Sequence, residues 1–313
     1  MKSILRFSTV LALAALVGCS QNQQPTAPEA ADLSQEAAAL SLEKSLPKIT
    51  VPDDYATIQA AVDAATPGTK IKVKAGTYVE SPVTVDVAGV RITAEGAVTL
   101  QGSFIVSANN VQIDHFTIVN SASAAILVGA VSGVEIVENE ISSGSSLSNN
   151  IVLDGSTDCT VKDNESRGAN FGVFLSGANG NTIDGNACTG NGDGIRLNSS
   201  ADNEISGNNC SGNAGDGIEL GSSNDNQLKD NTCNDNGDNG IELSASGGNT
   251  IGSKNTANGN RNFGIRLTNS TGNSNNVVKK NTCLNNGDCD IVDENPTTTN
   301  TFIKNKAGCT SGF

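Results

Sequence analysis

The runs Gly172-Val173-Phe174-Leu175, Gly194-Ile195-Arg196-Leu197, Gly217-Ile218-Glu219-Leu220, Gly240-Ile241-Glu242-Leu243 and Gly264-Ile265-Arg266-Leu267 recur at intervals of 22, 23, 23 and 24 residues. Their register decides the fold. Nine residues after each of the first four glycines stands an asparagine (Asn181, Asn203, Asn226, Asn249), and two residues later an aliphatic (Ile183, Ile205, Leu228, Ile251). Upstream the register continues through Val111 and Ile113, Val134 and Ile136, and Cys159 and Val161. Two more columns keep step: Phe116, Asn139, Asn164, Asn186, Asn208, Asn231, and Ile118, Ile141, Ser166, Cys188, Cys210, Cys233. Within each run apolar and polar residues alternate, and Gly, Asn and Asp separate runs too short for helices, so the elements are half-buried strands. A unit of this length cannot bury its apolar face alone. Stacked units share one interior, which predicts an all-β parallel β-helix of roughly eleven coils from Ile71 to Ile303, about 50 Å long at about 4.8 Å per coil.

Composition agrees. In 313 residues there are 34 Gly, 3% aromatics and no Trp, which excludes an ordinary globular core, while 36% hydrophobic residues in evenly spaced runs exclude disorder. All but one of the 39 asparagines lie at or beyond Asn109. An inward Asn at a turn tolerates a left-handed backbone and passes its amide to the Asn of the next coil, so the excess reads as scaffold.

Lys2 and Arg6 precede an apolar stretch through Val17, the pattern of a secretory signal. Leu16-Val17-Gly18-Cys19 resembles the lipobox of bacterial lipoproteins, which implies cleavage before Cys19 and acylation there. Ser20 in place of Asp implies an outer-membrane or cell-surface address in the bacterial envelope. The expected organisation is a signal at 1–18, an acylated Cys19 with a flexible linker to 47, and the β-helix over 48–313. Loss of Lys2 and Arg6 leaves 17 basic against 33 acidic residues, a net charge of −16. That charge opposes nucleic acid, and opposes polyuronates unless Ca²⁺ bridges them.

Ile58-Gln59-Ala60-Ala61-Val62-Asp63-Ala64-Ala65, Pro67-Gly68 and Ile71 to Tyr78 resemble the opening of right-handed parallel β-helix proteins of the pectin-lyase-like superfamily. The resemblance implies a right-handed helix with a short N-terminal capping helix, whose Ile58, Val62 and Ala65 share one face. The stretch Asn191 to Leu197 is similar to coils of periplasmic copper-insertion accessory proteins and of carbohydrate-binding β-helices. Of the polygalacturonase motifs, Asn-Thr-Asp, Gly-His-Gly and Arg-Ile-Lys are absent, and the Asp-Asp pair occurs only as Asp53-Asp54, ahead of the repeats and without the other three. Also absent are the pectinesterase segment after the first coil and the Tyr-Asp-Pro-His site of alginate epimerases; the single histidine lies in Ile113-Asp114-His115-Phe116.

The outward column Val152, Phe174, Arg196, Glu219, Glu242, Arg266 offers two readings. Glu219 and Glu242 at about 5 Å would suit a retaining glycosidase pair, and the flanking arginines make a surface charge ladder. Asp193, Asp216 and Asp238 recur in successive turns, the oxygen chemistry Ca²⁺ takes, or simply solvated turns. His115, Glu138 and Asp163 form a further column. Cys188, Cys210 and Cys233 read as an inward stack, with Cu(I) ligation as the rival. Cys289 and Cys309 are expected to close a disulfide over the final coil, with Cys283 as competitor. The function these features favour is a lipid-anchored envelope protein that binds an extracellular polysaccharide or envelope partner along its flank, without a recognisable catalytic site. A polysaccharide lyase or hydrolase with an atypical carboxylate site, and a periplasmic metal-delivery protein, are the alternatives.

Overall fold

A computed structural model describes residues 46–120, 122–295 and 299–312. Cys19, the signal and most of the linker lie outside them. From Leu46 onward the chain forms one unit wound as a parallel β-helix. Three sheets run along it. The first stacks the inward side chains Ile49, Ile71, Ile92, Ile113, Ile136, Val161, Ile183, Ile205, Leu228, Ile251, Val278 and Phe302 in parallel register, twelve levels in all. The expected eleven becomes twelve because the strand Lys48–Val51, ahead of the capping helix, already pairs with Lys70 to Val73. The second sheet carries Leu100, Ile118, Ile141, Ser166 and Cys188 inward. The third carries Phe104, Ile126, Ile151, Val173, Ile195, Ile218, Ile241, Ile265 and Ile291.

Helix α1, Ile58–Asp63, closes the first coil. Thr57 caps it by accepting the Ala60 N–H at 3.1 Å, and the Glu80 carboxylate accepts the N–H groups of Ile58 and Gln59, both at 2.8 Å. Ile58 and Val62 are fully buried, and Ala65 packs partly buried against the core.

Each corner must turn the chain while its polar groups stay inside. Between the first and second sheets Asn139, Asn164, Asn186, Asn208, Asn231, Asn255 and Asn281 form a continuous ladder in which each Nδ2 donates to the next Oδ1 at 3.0 Å. The same Oδ1 usually also accepts the backbone N–H of the preceding asparagine, and Nδ2 reaches a carbonyl such as that of Ile183. Two more ladders hold the other corners, Asn181, Asn203, Asn226, Asn249 and Asn191, Asn213, Asn236, Asn260. One detail corrects the sequence expectation: the asparagine is not itself left-handed. Positive φ falls on the residue before it, as at Asp163 (53°), Gly185 (68°) and Asp230 (57°), which swings the asparagine side chain inward.

The recurring Gly of each Gly-Ile-x-Leu run has a packing cause. A Cβ on Gly217 would stand 2.6 Å from the Gly240 carbonyl oxygen and 2.7 Å from the Cys233 Cβ. The coil is narrow there, so glycine on one side and Cys or Ala on the other are what fit. The stack Cys188, Cys210 and Cys233 is the counterpart of these glycines, and all three thiols are free and buried.

At the C-terminal end Cys289 and Cys309, 20 positions apart in sequence, are joined with Cα atoms 5.2 Å apart, and Cys283 remains a buried free thiol. Closing this loop restricts the unfolded chain, so Cys309→Ser is expected to lower stability by about 3 kcal/mol in a denaturant melt, with protection lost first in the last coil. In the ladder, Asn208→Ala strips the acceptor from Asn186 and the donor from the Ile183 carbonyl. We expect a loss of about 3 kcal/mol or more, against about 0.5 kcal/mol or less for Asn198→Ala on the outside.

Candidate functional site

The outer face of the third sheet changes character along its length. Its outward column reads Ile105, Leu127, Val152, Phe174, Arg196, Glu219, Glu242, Arg266 and Val292 in register. The first half is apolar. Two adjoining depressions of about 240 and 130 Å³ lie over it, lined by Leu127, Val152, Phe174 and Ser176 and by Pro82 and Ile105. The second half is charged, and there a second column joins the first. Because the chain bends at the recurring Gly, the residue three before each outward one also faces outward: Phe171, Asp193, Asp216, Asn239 and Phe263. Asp216 N–H donates to Asp193 Oδ1 at 2.9 Å, Asn239 N–H to Asp216 Oδ1 at 2.8 Å, and Phe263 N–H to Asn239 Oδ1 at 3.2 Å.

The two columns interlock. Arg196 Nη1 lies 2.8 Å from Glu219 Oε2 and 3.3 Å from Asp193 Oδ2, and its guanidinium sits 5.0 Å above the Phe171 ring. Arg266 repeats the arrangement three coils on, 3.1 Å from Glu242, 2.9 Å from Glu294 and 5.4 Å above Phe263. Asn239 Nδ2 donates to Glu242 Oε2 at 2.8 Å. Glu219 and Glu242 are register partners, as their spacing implies, and each is held by its own arginine. Asp193, Asp216 and Glu219 bring carboxylate oxygens within 4.8 Å of one another, so among the described residues these three are the group able to hold a cation. Asp238 stands one position out of that column; it pairs with Gly215 and Asn262, and the Asn262 level leads on to Asp288. Arg196 already supplies a positive charge to the trio, so a metal ion would have to displace it.

Burial, then the neighbouring carboxylates Glu242 and Asp193, pushes Asp216 up to about 8. Glu219 is raised to about 7, with burial the larger cause and the Arg196 charge opposing it; Glu242 is raised as well, chiefly by burial against the pull of Arg266. Near neutral pH the buried Asp216 therefore favours its protonated form, while Glu219 and Glu242 face their arginines. Burial also raises the Cys210 and Cys283 thiols, which keeps them protonated and unlike metal-binding thiolates. His115, Glu138 and Asp163 occupy left-handed corner positions, with His115 Nε2 2.8 Å from Glu138, as surface turn residues.

Sequence spacing marked the Arg196 to Arg266 column but missed Phe171, Asn239, Phe263 and Glu294. The signal for the first three was the residue before each recurring Gly, an outward position only because of the bend.

Fold and face together define a right-handed parallel β-helix. A family model described as a right handed beta helix region matches residues 124–274. Among solved structures, the chain is similar to the A-module of a mannuronan C-5 epimerase from Azotobacter vinelandii, at 17% identity and a TM-score of 0.58 over 84% of this chain and 93% of that one. It is also similar to a polygalacturonase from Erwinia carotovora, at 13% identity and a TM-score of 0.60 over 85% and 95%. The Dettilon tailspike protein matches at 14% identity and a TM-score of 0.63, over 82% of this chain and 61% of its own. These likenesses, to pectin-lyase-like β-helices, are of fold. No curated protein matches the sequence.

The raised carboxyls fix a pH dependence. Folded Asp216 and Glu219 hold protons that the unfolded chain, near its ordinary value of about 4, has released. Their stabilising share is fully present below that value and is lost as pH rises through about 7 and about 8. The thermal midpoint should therefore fall between pH 5 and 9, and Asp216→Asn, which keeps the acceptor for Asn239 N–H, should flatten that fall. An identical pH profile in the variant would show Asp216 to titrate normally.

Proposed function

We propose that the protein binds a neutral extracellular polysaccharide along the outer face of its third sheet, held at the bacterial envelope by lipid on Cys19. The observation that carries this reading is the interlocked row of Phe171, Phe174, Arg196, Glu219, Asn239, Glu242, Arg266 and Phe263. Phe174 and the parts of Phe171 and Phe263 left uncovered by the guanidinium groups offer apolar surface to sugar rings, and the part-exposed carboxyl and guanidinium groups offer hydroxyl partners at the one-coil repeat of about 4.8 Å, while the fully buried Asn239 holds Glu242 in place from beneath. The arginines are already engaged by carboxylates, which disfavours an anionic polymer. The polygalacturonase and the mannuronan epimerase are named for action on polysaccharides, which supports a polysaccharide as the ligand; their polymers are anionic, so the neutral charge of the ligand proposed here rests on the engaged arginines and the acidic chain. The lipid anchor is supported by Leu16 to Cys19 alone.

Hydrolysis is the second reading, and one observation favours it: Asp193, Asp216 and Glu219 bring carboxylate oxygens within 4.8 Å of one another, and burial pushes Asp216 up to about 8, the environment a general acid needs. Incubating the protein with a neutral glycan array, then analysing the eluted sugars by size, separates the two. Intact bound glycan is expected, with affinity reduced about tenfold by Phe174→Ala or Arg196→Ala. Shortened products lost in Glu219→Gln would establish the enzyme instead, and no binding to any glycan would remove both readings.

A further inference from the structure

The last three coils carry a feature that this function leaves unused. In a chain of net charge −14, Lys254, Lys279, Lys280, Lys304 and Lys306 gather at one corner, between the first and second sheets. Lys254, Lys280 and Lys304 occupy the same position in successive coils: Lys254 N–H donates to the Lys280 carbonyl, and the three share the left-handed conformation, with φ of 67°, 55° and 51°. Their ammonium stems thus leave the backbone about one coil spacing, about 4.8 Å, apart. Lys279 precedes Lys280, and Lys306 lies two residues beyond Lys304 across the inward Asn305. Lys254 reaches Asp230 at 3.6 Å; among the described residues the other four form no ion pair. The lysines of the N-terminal coils differ, since Lys72 pairs with Glu95 and Lys74 with Asp53.

Folding does not require this arrangement. Equivalent corners use Gly185 and Gly207, or Asp163 and Asp230, residues that suit positive φ, whereas lysine there is strained. Stacking like charges at adjacent levels is unfavourable too. Lysine on the terminal strands of a sheet also deters edge pairing, which accounts for Lys304 and Lys306. It does not account for Lys254, Lys279 and Lys280, whose strands or turns are covered by the coil that follows.

We propose that this lysine corner docks the last coils onto an anionic lipid surface. Five unpaired or weakly paired lysines match the cluster size that phosphate headgroups attract. Lysine is a point charge on a flexible stem, suited to mobile headgroups rather than to bidentate recognition of a fixed group. The corner is a turn on the outside of the coil, and the two depressions of the third sheet lie on earlier coils. Ile303, 40% exposed beside Lys304, gives the patch an apolar tip.

The test uses the full chain with Cys19→Ser, so that no acyl chain contributes, in flotation with vesicles. The parent is expected to bind phosphatidylglycerol vesicles over phosphatidylcholine vesicles, with the excess lost at high salt. Lys254→Gly, Lys280→Gly and Lys304→Gly together should cut that excess at least about tenfold. Glycine suits the left-handed corner, so the thermal midpoint should hold or rise, which separates lost docking from lost fold. Equal binding to both vesicle types, an unchanged excess in the triple variant, or competition by soluble polygalacturonate at lower concentration than by vesicles would overturn the proposal.

Discussion

The structure depends on one interaction, the buried asparagine ladder. A β-helix must turn its chain three times per coil, and each turn leaves peptide groups facing an interior where an unpaired polar atom is costly. The amide of asparagine carries both a donor and an acceptor, so it can take an N–H from one coil, give one to the next and still reach a carbonyl. Asn208 does all three. Once one coil adopts this geometry the next must copy it, which fixes the register of every column outside.

That register is what turns a short motif into an extended face. The apolar stretch at Val152 and Phe174, the Arg–carboxylate pairs and the flanking phenylalanines belong to different coils, brought into line by side-chain ladders at the corners. The bend at the recurring Gly doubles the columns on the third sheet, so Asp193 and Arg196 meet although both lie on one strand. The same regularity permits local exceptions. Where the corner needs only a left-handed residue, glycine, aspartate or lysine can stand there, and charge varies along the helix without disturbing the core.

The fold was legible because its causes are periodic: an aliphatic every 22 to 24 residues and the asparagine columns beside them. The Glu219–Glu242 register follows from the same periodicity, while the Cys289–Cys309 pairing was legible from the positions of the two cysteines at either end of the final coil. What escaped were features that depend on backbone conformation. Positive φ belongs to the residue before each ladder asparagine, and nothing in a column of asparagines says which neighbour bends. Asp193 and Asp216 turn toward Glu219 while Asp238 does not, because the turn before Asn239 places Asp238 one step earlier. The twelfth coil was hidden because α1 interrupts the repeat between Val51 and Lys70.

The most direct test is the amide hydrogen exchange of Asn164, Asn186, Asn208 and Asn231, whose backbone N–H groups donate to side-chain oxygens of the next coil at 2.9–3.0 Å instead of to backbone carbonyls. If the ladder holds the coils together, these amides open only when the helix opens, and they should exchange as slowly as those of Ile183 and Ile205. Exchange as fast as that of an unstructured peptide would mean that the asparagines decorate a fold held by its strands alone.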